Sequence, residues 1–377
     1  MRLTFISQAP TPYVTAILNE LTGLVDLEVV FISGRHPATS LNSWATFRDP
    51  WGTEPRFRYS FVPSLPVTST GSDFHAQVAF GVSVRLARLR PDIVLVHGWG
   101  LPMVEPMLWS CLAHRRVLMW SESTIISGLH RGRLSDLYRR SFVRHVRAFV
   151  TSGRQATDYL HELRVPASRI ITSCLPAVPT TDLTDDLPTL GSDVETRPGP
   201  RFIFVGRLIP RKRPGDSVIA FRLASRALPD AVLTIVGDGP LLEVTKMAAA
   251  DLGGRVRFVG RREGRDLGRQ YRDADVLLAP FEREVWGLVV NEALQAGLYV
   301  IASDQVASAF DLLRPDTGVI LPSGSIDDLA RAMRNAAHQV DFSREARARR
   351  ARSIADCNPR AFALAIREGA ELAGGAR

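Results

Sequence analysis

Short apolar runs alternate along the chain with segments in which apolar side chains recur every three or four positions. Runs of four to six apolar residues predict buried strands, and the longer period predicts helices with one buried face. The chain opens in this way, with a predicted strand at residues 3 to 7, a helix at 13 to 22 and a strand at 27 to 33. Strands that alternate with helices indicate a parallel sheet covered by helices on both faces.

The same alternation continues to about residue 175 and defines a first α/β domain over residues 1–175. Residues 34 to 56 interrupt it with a polar and aromatic stretch that contains scattered Pro and Gly, which predicts an extended loop. The further predicted strands are 57 to 62, 92 to 97, 117 to 120 and 148 to 152, and the helices are 75 to 89, 101 to 114, 134 to 147 and 155 to 163.

Residues 176–200 are rich in Pro, Thr and Asp with little apolar content, which is typical of an exposed connector between domains. A second strand and helix alternation follows over residues 201–355 and predicts a second α/β domain. The predicted strands are 202 to 205, 232 to 236, 256 to 259, 274 to 280 and 298 to 301, with helices at 217 to 226, 241 to 252, from about 287 and from 326. Residues 356–377 hold a terminal helix that we expect to pack back on the first domain.

Composition excludes several classes of protein. The 377 residues are 45% hydrophobic and 23% charged, which is ordinary for a globular protein. No apolar run approaches the ~20 residues that span a bilayer. The N-terminal segment fits a buried strand better than a signal peptide, so we expect a cytoplasmic protein, with a peripheral position at the inner membrane face as the other option.

Neither the cysteines nor the net charge indicates a specific kind of binding site. Cys111, Cys174 and Cys357 lie far apart without a His cluster, so we expect buried thiols rather than a disulfide framework or a zinc site. The formal charge of +8 fits a diffuse basic surface as well as a dedicated polyanion site. Because no nucleic-acid-binding motif accompanies the charge, we do not expect a nucleic-acid partner.

The most informative stretch is FEREVWGLVVNEALQAGLYVIASD at residues 281 to 304. It predicts an acidic loop after a strand, a helix that starts near Gly287 and ends at Gly297, and a further strand. A helix N-terminus beside a strand's carboxyl end suits phosphate, because its N–H groups and dipole favour negative charge. Glu284 in the loop and Glu292 on the helix offer carboxylates that suit sugar and ribose hydroxyls, although their spacing alone is common.

A second candidate element is VGRLIPRK at residues 205 to 212. Gly206 follows a predicted strand and permits a tight turn, while Arg207 and Lys212 supply two positive charges from a short loop. Together with the helix start, these charges predict a diphosphate clamp. The first domain lacks the GxGxxG pattern, so nicotinamide and flavin cofactors have little support.

Five motifs in order and spacing resemble family 4 retaining glycosyltransferases. They are VGRLIPRK at 205 to 212, TIVGDGP at 234 to 240, VRFVG at 256 to 260, ADV at 274 to 276 and the stretch from 284 to 303. The resemblance covers nearly all of the second half of the chain. The first half matches only in layout, with TSGRQ at 151 to 155 similar to the family's strand-end serine motif.

The resemblance implies the GT-B architecture, in which two Rossmann-like α/β/α domains face each other across a cleft. A nucleoside diphosphate sugar of the UDP or GDP type would be held mainly by the second domain, and no metal or other cofactor is expected. The candidate catalytic residues are Arg207 and Lys212 at the diphosphate and Glu284 at the transferred sugar. The candidate donor-binding residues are Gly206, Phe258 and Val259 at the base, the amides of Trp286, Gly287, Leu288 and Val289, and Glu292 at the ribose.

The chain departs from the family pattern in three places. Val285 and Trp286 stand where Gly and Phe are usual, and Tyr299 stands where Pro is frequent. The first loop, residues 7 to 12, lacks the glycines that often approach the donor phosphates. A Cβ at position 285 would change how the backbone approaches the sugar.

The first domain offers candidates for the sugar and acceptor side. The family often has a His after a middle strand, and here His97 and Glu122 end neighbouring predicted strands, with Tyr13 in the first helix. A capping or core role for His97 and Glu122 stays open. Trp99 and Trp109 are either buried aromatics or platforms for an acceptor sugar.

Three further alternatives remain. The basic helix with Arg139, Arg140, Arg144 and Arg147 presents either a solvated face or a contact with anionic lipid beside a lipid-linked acceptor. The acceptor is expected to be a glycan, a glycolipid or a glycosylated small molecule. The rival functions are a sugar-nucleotide epimerase or hydrolase of the same architecture, and a nucleotide-sugar-binding protein without turnover.

Overall fold

The computed structural model describes residues 1–32, 54–67, 76–126, 133–178 and 199–375. The predicted loop at 34 to 56 and the connector at 176–200 lie mostly outside these ranges. The chain forms two compact units, of which the first combines Met1–Pro176 with Cys357–Arg377 and the second is Ala177–Asp356. The second unit is therefore inserted between two parts of the first. No helix in the described ranges has both the length and the apolar content to cross a bilayer.

The first unit is built on a seven-stranded parallel sheet. Its strands are β1 (Arg2–Ser7), β2 (Asp26–Phe31), β3 (Arg58–Phe61), β6 (Ile93–His97), β7 (Arg116–Ser121), β8 (Val146–Ser152) and β9 (Ile170–Ser173), and β4 (Ser64–Val67) and β5 (Ala76–Ala79) form a separate antiparallel pair. Its helices are α1 (Pro12–Thr22), α2 (Val82–Leu89), α3 (Val104–Leu112), α4 (Arg133–His145), α5 (Arg154–Glu162) and, at the end of the chain, α13 (Pro359–Gly374).

The strand order of the first sheet is β3-β2-β1-β6-β7-β8-β9. The order reverses direction between β1 and β6, which makes their carboxyl ends the switch point where open α/β sheets bind ligands. Leu3, Phe5 and Ile6 of β1 and the apolar residues of β6 are buried, as expected for strands covered on both faces.

One predicted helix of this unit is wrong at its start. Residues 76 to 79 of the predicted helix from 75 to 89 form β5, which pairs antiparallel with β4 through Leu65 opposite Val78. Helix α2 begins only at Val82, because Gly81 before it adopts a left-handed conformation with φ of 86°. Chain pairing therefore overrides the helical period there.

The terminal helix α13 packs against α1 and against β7, β8 and β9 of the first unit. The close approach requires Gly369, because a Cβ there would lie 2.9 Å from Leu118 Cδ1 and 3.0 Å from Val150 Cγ2. Phe362 and Ile366 of α13 are buried in the same contact. The helix therefore buries apolar side chains against the sheet of the first unit.

The prediction of three free thiols is wrong for two of them. Cys174 and Cys357 form a disulfide whose Cα atoms lie 5.3 Å apart, across a sequence separation of 183 residues. Sequence spacing gave no sign of the bond, because the two cysteines meet only through the return of the terminal helix. Cys111 remains a free cysteine of intermediate exposure.

The second unit is built on a six-stranded parallel sheet. Its strands are β10 (Arg201–Val205), β11 (Val232–Val236), β12 (Val256–Gly260), β13 (Val276–Ala279), β14 (Tyr299–Ser303) and β15 (Gly318–Leu321). Its helices are α6 (Pro214–Ala224), α7 (Leu242–Ala248), α8 (Gly264–Arg272), α9 (Leu288–Gln295), α10 (Ala307–Leu312), α11 (Ile326–Gln339) and α12 (Arg344–Arg352).

The strand order of the second sheet is β12-β11-β10-β13-β14-β15, the order of a doubly wound Rossmann sheet. Its switch point lies between β10 and β13. The loops after these two strands begin at Gly206 and Pro280 and carry most of the residues that the sequence singled out.

A buried arginine ties the helices of the second unit together. Arg347 of α12 is 1% exposed and contacts Asp275 at 3.2 Å. It also donates to the carbonyl oxygens of Arg272 at the end of α8 and Ala296 at the end of α9, both at 3.3 Å. These bonds satisfy carbonyl groups that helix ends leave without helical donors.

Candidate functional site

A lysine and a glutamate meet at the switch point of the second sheet. Lys212 ends a short 3-10 helix, Pro210–Lys212, in the loop after β10 and is only 8% exposed. Its Nζ donates to Oε2 of Glu284 in the loop after β13, and it lies 3.7 Å from the centre of the Phe281 ring. Carboxylate and ring face both favour the charged ammonium, so a positive charge is kept in a nearly buried place.

Glu284 accepts a second cation. Nη1 of Arg211 lies 3.3 Å from the same Oε2 atom. Burial acts to raise the pKa of Glu284, but the charges of Lys212 and Arg211 together hold that pKa below its usual value. Glu284 is therefore ionised at neutral pH. The sequence reasoning did not single out Arg211, although it stands directly before Lys212.

The loop after β10 concentrates positive charge. Burial lowers the pKa of Lys212, and the nearby charges of Arg211 and Arg207 lower it further, against the opposing effect of Glu284. Arg207 is exposed at the start of the loop, directly after Gly206. The three cations of this loop outnumber the carboxylate of Glu284 that pairs with two of them, which suits an anionic ligand such as a diphosphate.

Helix α9 starts at the same edge of the sheet. Its N-cap, Gly287, has a φ of 96°, and a Cβ there would lie 2.9 Å from Val306 Cγ1 and 3.2 Å from Glu284 Cγ. A glycine is thus required where the chain turns into the helix. The amides of Leu288 and Val289 follow in the first turn, where helices direct N–H groups outward toward anions.

The side chain of Trp286 points into the protein. It is 3% exposed, and its Nε1 donates to Oδ1 of the fully buried Asn291 at 2.9 Å. The hydrogen bond explains how an indole fits where a phenyl ring is usual in the resembling family. Trp286 can therefore contribute its backbone to a ligand site, as the sequence predicted, but not its ring.

Glu292 lies one turn into α9 and is 7% exposed. Its Oε2 accepts a hydrogen bond of 2.7 Å from the hydroxyl of Tyr271 on α8. Burial raises the pKa of Glu292, while the Tyr271 bond and the charge of Lys212 act to lower it. Sequence reasoning found Glu292 through its motif and missed Tyr271, which is 21 residues away.

Phe258 and Val259 lie on β12, the edge strand, two positions from β10 in the sheet. Both are partly exposed. Their role at a nucleotide base stays a prediction.

The sugar-side candidates of the first unit meet at that unit's own switch point. His97 at the end of β6 has Nδ1 3.1 Å from Ser7 Oγ at the end of β1, and Nε2 3.1 Å from Oε1 of Glu122. The hydroxyl of Tyr13 on α1 donates to the same oxygen at 3.4 Å. The His97 ring stacks on Trp120 with centroids 4.4 Å apart. The four polar side chains form one network, which we call the Glu122 network.

The second unit matches the model of a known protein family. Residues 194–353 match the model of the family described as glycosyl transferases group 1. The second unit belongs to the glycosyl transferases group 1 family. The resemblance inferred from the sequence is thereby confirmed.

Curated relatives match part of the chain. A phosphatidyl-myo-inositol mannosyltransferase of Mycolicibacterium smegmatis is 35% identical over 150 residues, which are 39% of this chain and 38% of the relative. A GDP-mannose-dependent alpha-mannosyltransferase of Mycobacterium tuberculosis is 38% identical over 126 residues, which are 33% of this chain and 30% of the relative. The chain thus spans less than two fifths of the length of each of these two relatives.

Likeness to solved structures extends over both units. Anabaena HepE in complex with UDP superposes with a TM-score of 0.73 at 15% identity, covering 98% of this chain and 99% of HepE. The fold is GT-B, as the sequence predicted. At this identity, the likeness concerns the fold alone.

One aromatic and one basic candidate of the first unit are buried. Trp99 is 7% exposed and stacks near Phe149, so it provides no open platform for a sugar. Arg139 lies over the rings of Trp99 and Tyr159 and donates to the Tyr159 hydroxyl. Arg139 therefore drops out of the predicted lipid-facing group, whereas Arg140, Arg144 and Arg147 are exposed. No cluster of three or more metal-ligating side chains occurs within the ranges that the structure describes.

Proposed function

We propose that this chain is a retaining glycosyltransferase that moves a sugar from a UDP- or GDP-type nucleotide sugar to an acceptor hydroxyl. The observation that carries the proposal is the meeting of Lys212 with Glu284 at the switch point of a group 1 unit. A buried cation, two further arginines and a helix start converge there on the place where doubly wound sheets bind ligands.

Transfer of the sugar requires that the negative charge that develops on the leaving group be stabilised. As the bond between the sugar's anomeric carbon and the diphosphate oxygen breaks, negative charge grows on the leaving diphosphate. Arg207, Lys212 and the first amides of α9 are the groups that would stabilise it. Removal of one such group typically costs ~10²- to 10³-fold in rate. This electrostatic assistance does not call for a metal ion, and we propose metal-independent transfer.

Retention follows if the acceptor approaches the face that the diphosphate leaves. The acceptor oxygen forms the new bond to the anomeric carbon, and its proton passes to the departing phosphate oxygen. No second enzyme carboxylate is then needed as a base. Glu284 is then not required as a base. Within this proposal, it accepts hydrogen bonds from hydroxyls of the transferred sugar beside Lys212.

Glu292 is assigned to the ribose of the donor, because each oxygen of an ionised carboxylate has two lone pairs and can accept hydrogen bonds from two hydroxyls. Phe258 and Val259 are assigned to the base. In the first unit, Glu122, His97 and Tyr13 are assigned to the sugar and acceptor side, since their network lies at that unit's ligand-binding edge.

For the acceptor, we propose only the general class of sugar-containing molecules. One relative is named for a phosphatidylinositol substrate, and exposed Arg140, Arg144 and Arg147 would favour an anionic lipid surface. A cytoplasmic enzyme in peripheral contact with the inner membrane face fits both observations.

Calorimetric titration with UDP, GDP and their sugars tests the donor assignment. We expect binding to one nucleotide class, and its loss together with turnover in the Arg207→Ala/Lys212→Ala variant. The matched control is Lys246→Ala, which removes the chain's other lysine at an exposed pair with Glu243 in the same unit. A melting curve verifies that both variants are folded.

Product analysis separates the rival functions. A nucleotide sugar converted to an epimer or to free sugar, with no product joined to any acceptor, would replace transfer by epimerisation or hydrolysis. Binding without any turnover would favour a nucleotide-sugar-binding protein. Unchanged affinity and turnover in the double variant would overturn the site assignment itself.

A further inference from the structure

The hydrogen bond between Tyr271 and Glu292 joins two buried side chains near the proposed donor site. Tyr271 is fully buried on α8, and its hydroxyl lies 2.7 Å from Glu292 Oε2. Glu292 lies on the next helix, α9. Neither the diphosphate clamp nor the transfer step uses the tyrosine.

The two helices that carry this contact are held at a fixed spacing. Arg347 donates to Arg272 at the end of α8 and to Ala296 at the end of α9, each at 3.3 Å. The amide of Ala274 donates to the Tyr271 carbonyl at 3.0 Å, which fixes the turn between α8 and β13. The hydroxyl of Tyr271 is therefore presented to Glu292 by rigid elements rather than by a loop.

A glutamate without such a partner would serve a ligand poorly. Its side chain has three rotatable bonds, and ordering it costs free energy each time a ligand binds. The Tyr271 bond engages one carboxylate oxygen and restricts the orientations that the group can adopt. It also favours the ionised form, against burial, together with the charge of Lys212.

We propose that Tyr271 is a positioning residue of the donor site, which holds the Glu292 carboxylate so that its other oxygen accepts the vicinal hydroxyls of a ribose. The inference rests on the proposed function, because it needs Glu292 at the ribose. It adds a residue on α8 that the sequence motifs did not indicate, and it predicts that pentose recognition depends on two helices.

The Tyr271→Phe variant tests the proposal, because it keeps the ring and removes only the hydroxyl. We expect an affinity loss of about tenfold for UDP or GDP in calorimetry on the full chain, as a lost hydrogen bond to a charged group gives. Donor KM should rise with kcat nearly unchanged. The matched control is Tyr299→Phe at the start of β14 in the same unit, for which nucleotide affinity should not change.

Nucleotides that lack the 2′-hydroxyl test whether Tyr271 acts specifically on recognition of the ribose. The wild type should bind UDP or GDP more tightly than the 2′-deoxy form, and this ratio should shrink in Tyr271→Phe. A general loosening of the unit would weaken both nucleotides equally and would overturn the positioning role.

The dependence on pH gives an independent readout. Because the Tyr271 hydrogen bond acts to lower the pKa of Glu292, its removal should raise that pKa. As the pH is lowered and Glu292 takes up a proton, nucleotide affinity should therefore be lost at a higher pH in Tyr271→Phe than in the wild type. Lys212, the other charged group that acts on Glu292, is present in both proteins. Coincident pH profiles would contradict the proposal.

A double-mutant cycle separates failure of this proposal from failure of the proposed function. If Glu292→Gln leaves nucleotide affinity unchanged, the ribose assignment fails and the Tyr271 role fails with it. If Glu292→Gln weakens binding but Tyr271→Phe does not, only the positioning role is overturned. We expect Tyr271→Phe to have no further effect on the Glu292→Gln background, since it acts through that carboxylate.

Discussion

The α-carbon of Gly237 faces the carbonyl oxygen of Gly206 so closely that a Cβ on Gly237 would lie 1.9 Å from that oxygen. Gly237 follows β11 and Gly206 follows β10, and the amide of Gly206 donates to the Val236 carbonyl at 3.0 Å. The GDG sequence at residues 237 to 239 thus brings a neighbouring loop against the base of the loop after β10, which carries Arg207, Arg211 and Lys212 and which we call the cationic loop. Gly239 meets Leu208 in the same way, with a Cβ position 2.6 Å from its carbonyl oxygen.

Gly237→Ala is expected to disturb the cationic loop. Overpacking of this kind costs roughly 1–3 kcal/mol, and a φ of 143° adds strain for a side chain. We expect a lower melting temperature and weaker nucleotide binding. Gly215→Ala is the control, because a Cβ there has no atom within 4 Å and position 215 lies in α6. A stable Gly237→Ala variant with normal affinity would show that the loops are not coupled.

Glu292→Gln is expected to stabilise the ligand-free protein while it weakens nucleotide binding. Burial raises the pKa of Glu292, so ionisation of this group costs folding free energy wherever the pH exceeds its unfolded value of about 4.3. The gain at pH 7 should be about 0.5–2 kcal/mol, typical of a single stabilising substitution. It should vanish at about pH 3, well below the unfolded value, where both states protonate the carboxyl. Melting curves at the two pH values measure it, and Glu243→Gln at an exposed position serves as control.

Arg347→Ala is expected to destabilise the second unit by about 3–5 kcal/mol, since it leaves Asp275 as a buried charge without its ion-pair partner. The carbonyl groups at the ends of α8 and α9 also lose a donor. Arg349→Ala removes an exposed arginine from the same helix, where changes usually stay within ±0.5 kcal/mol. Urea unfolding distinguishes the two, and equal midpoints would rule out the bridging role.

Reduction of the Cys174 and Cys357 disulfide is expected to lower the melting temperature. Loss of a native disulfide typically costs about 2–5 kcal/mol. The Cys174→Ser/Cys357→Ser variant should melt at the reduced temperature with or without dithiothreitol, and Cys111→Ser should behave as the wild type. If dithiothreitol leaves the wild-type curve unchanged, the bond does not support the fold.

The sequence predicted those parts of the fold that local patterns determine. Apolar runs located β10 and β13, whose following loops carry Lys212 and Glu284, and a family motif identified Glu292 and the start of α9. Strand β5 was not predicted, because its apolar pattern also fits a helix and the pairing with β4 decides its conformation. Prediction from the sequence therefore fails where pairing with another strand overrides the local pattern.

The contacts that sequence reasoning missed join residues far apart in the chain. Tyr271 lies 21 residues from Glu292, and Cys174 lies 183 residues from Cys357. Arg211 stood beside Lys212, but only the approach of the loop after β13 gives it a carboxylate partner. Burial of Arg139 likewise depends on α5, which brings Tyr159 to the guanidinium. Such contacts require the tertiary fold.

The disulfide has a topological consequence for the whole chain. The polypeptide leaves the first unit after Pro176 and re-enters it at Cys357, so Cys174 and Cys357 stand at the two crossings. The second unit thus lies within a covalent ring that is closed by the one disulfide bond. A protease that cuts the backbone once within this ring yields two polypeptides that remain a single molecule until a reductant opens the bond. Intact mass with and without reductant would report directly whether the ring is closed.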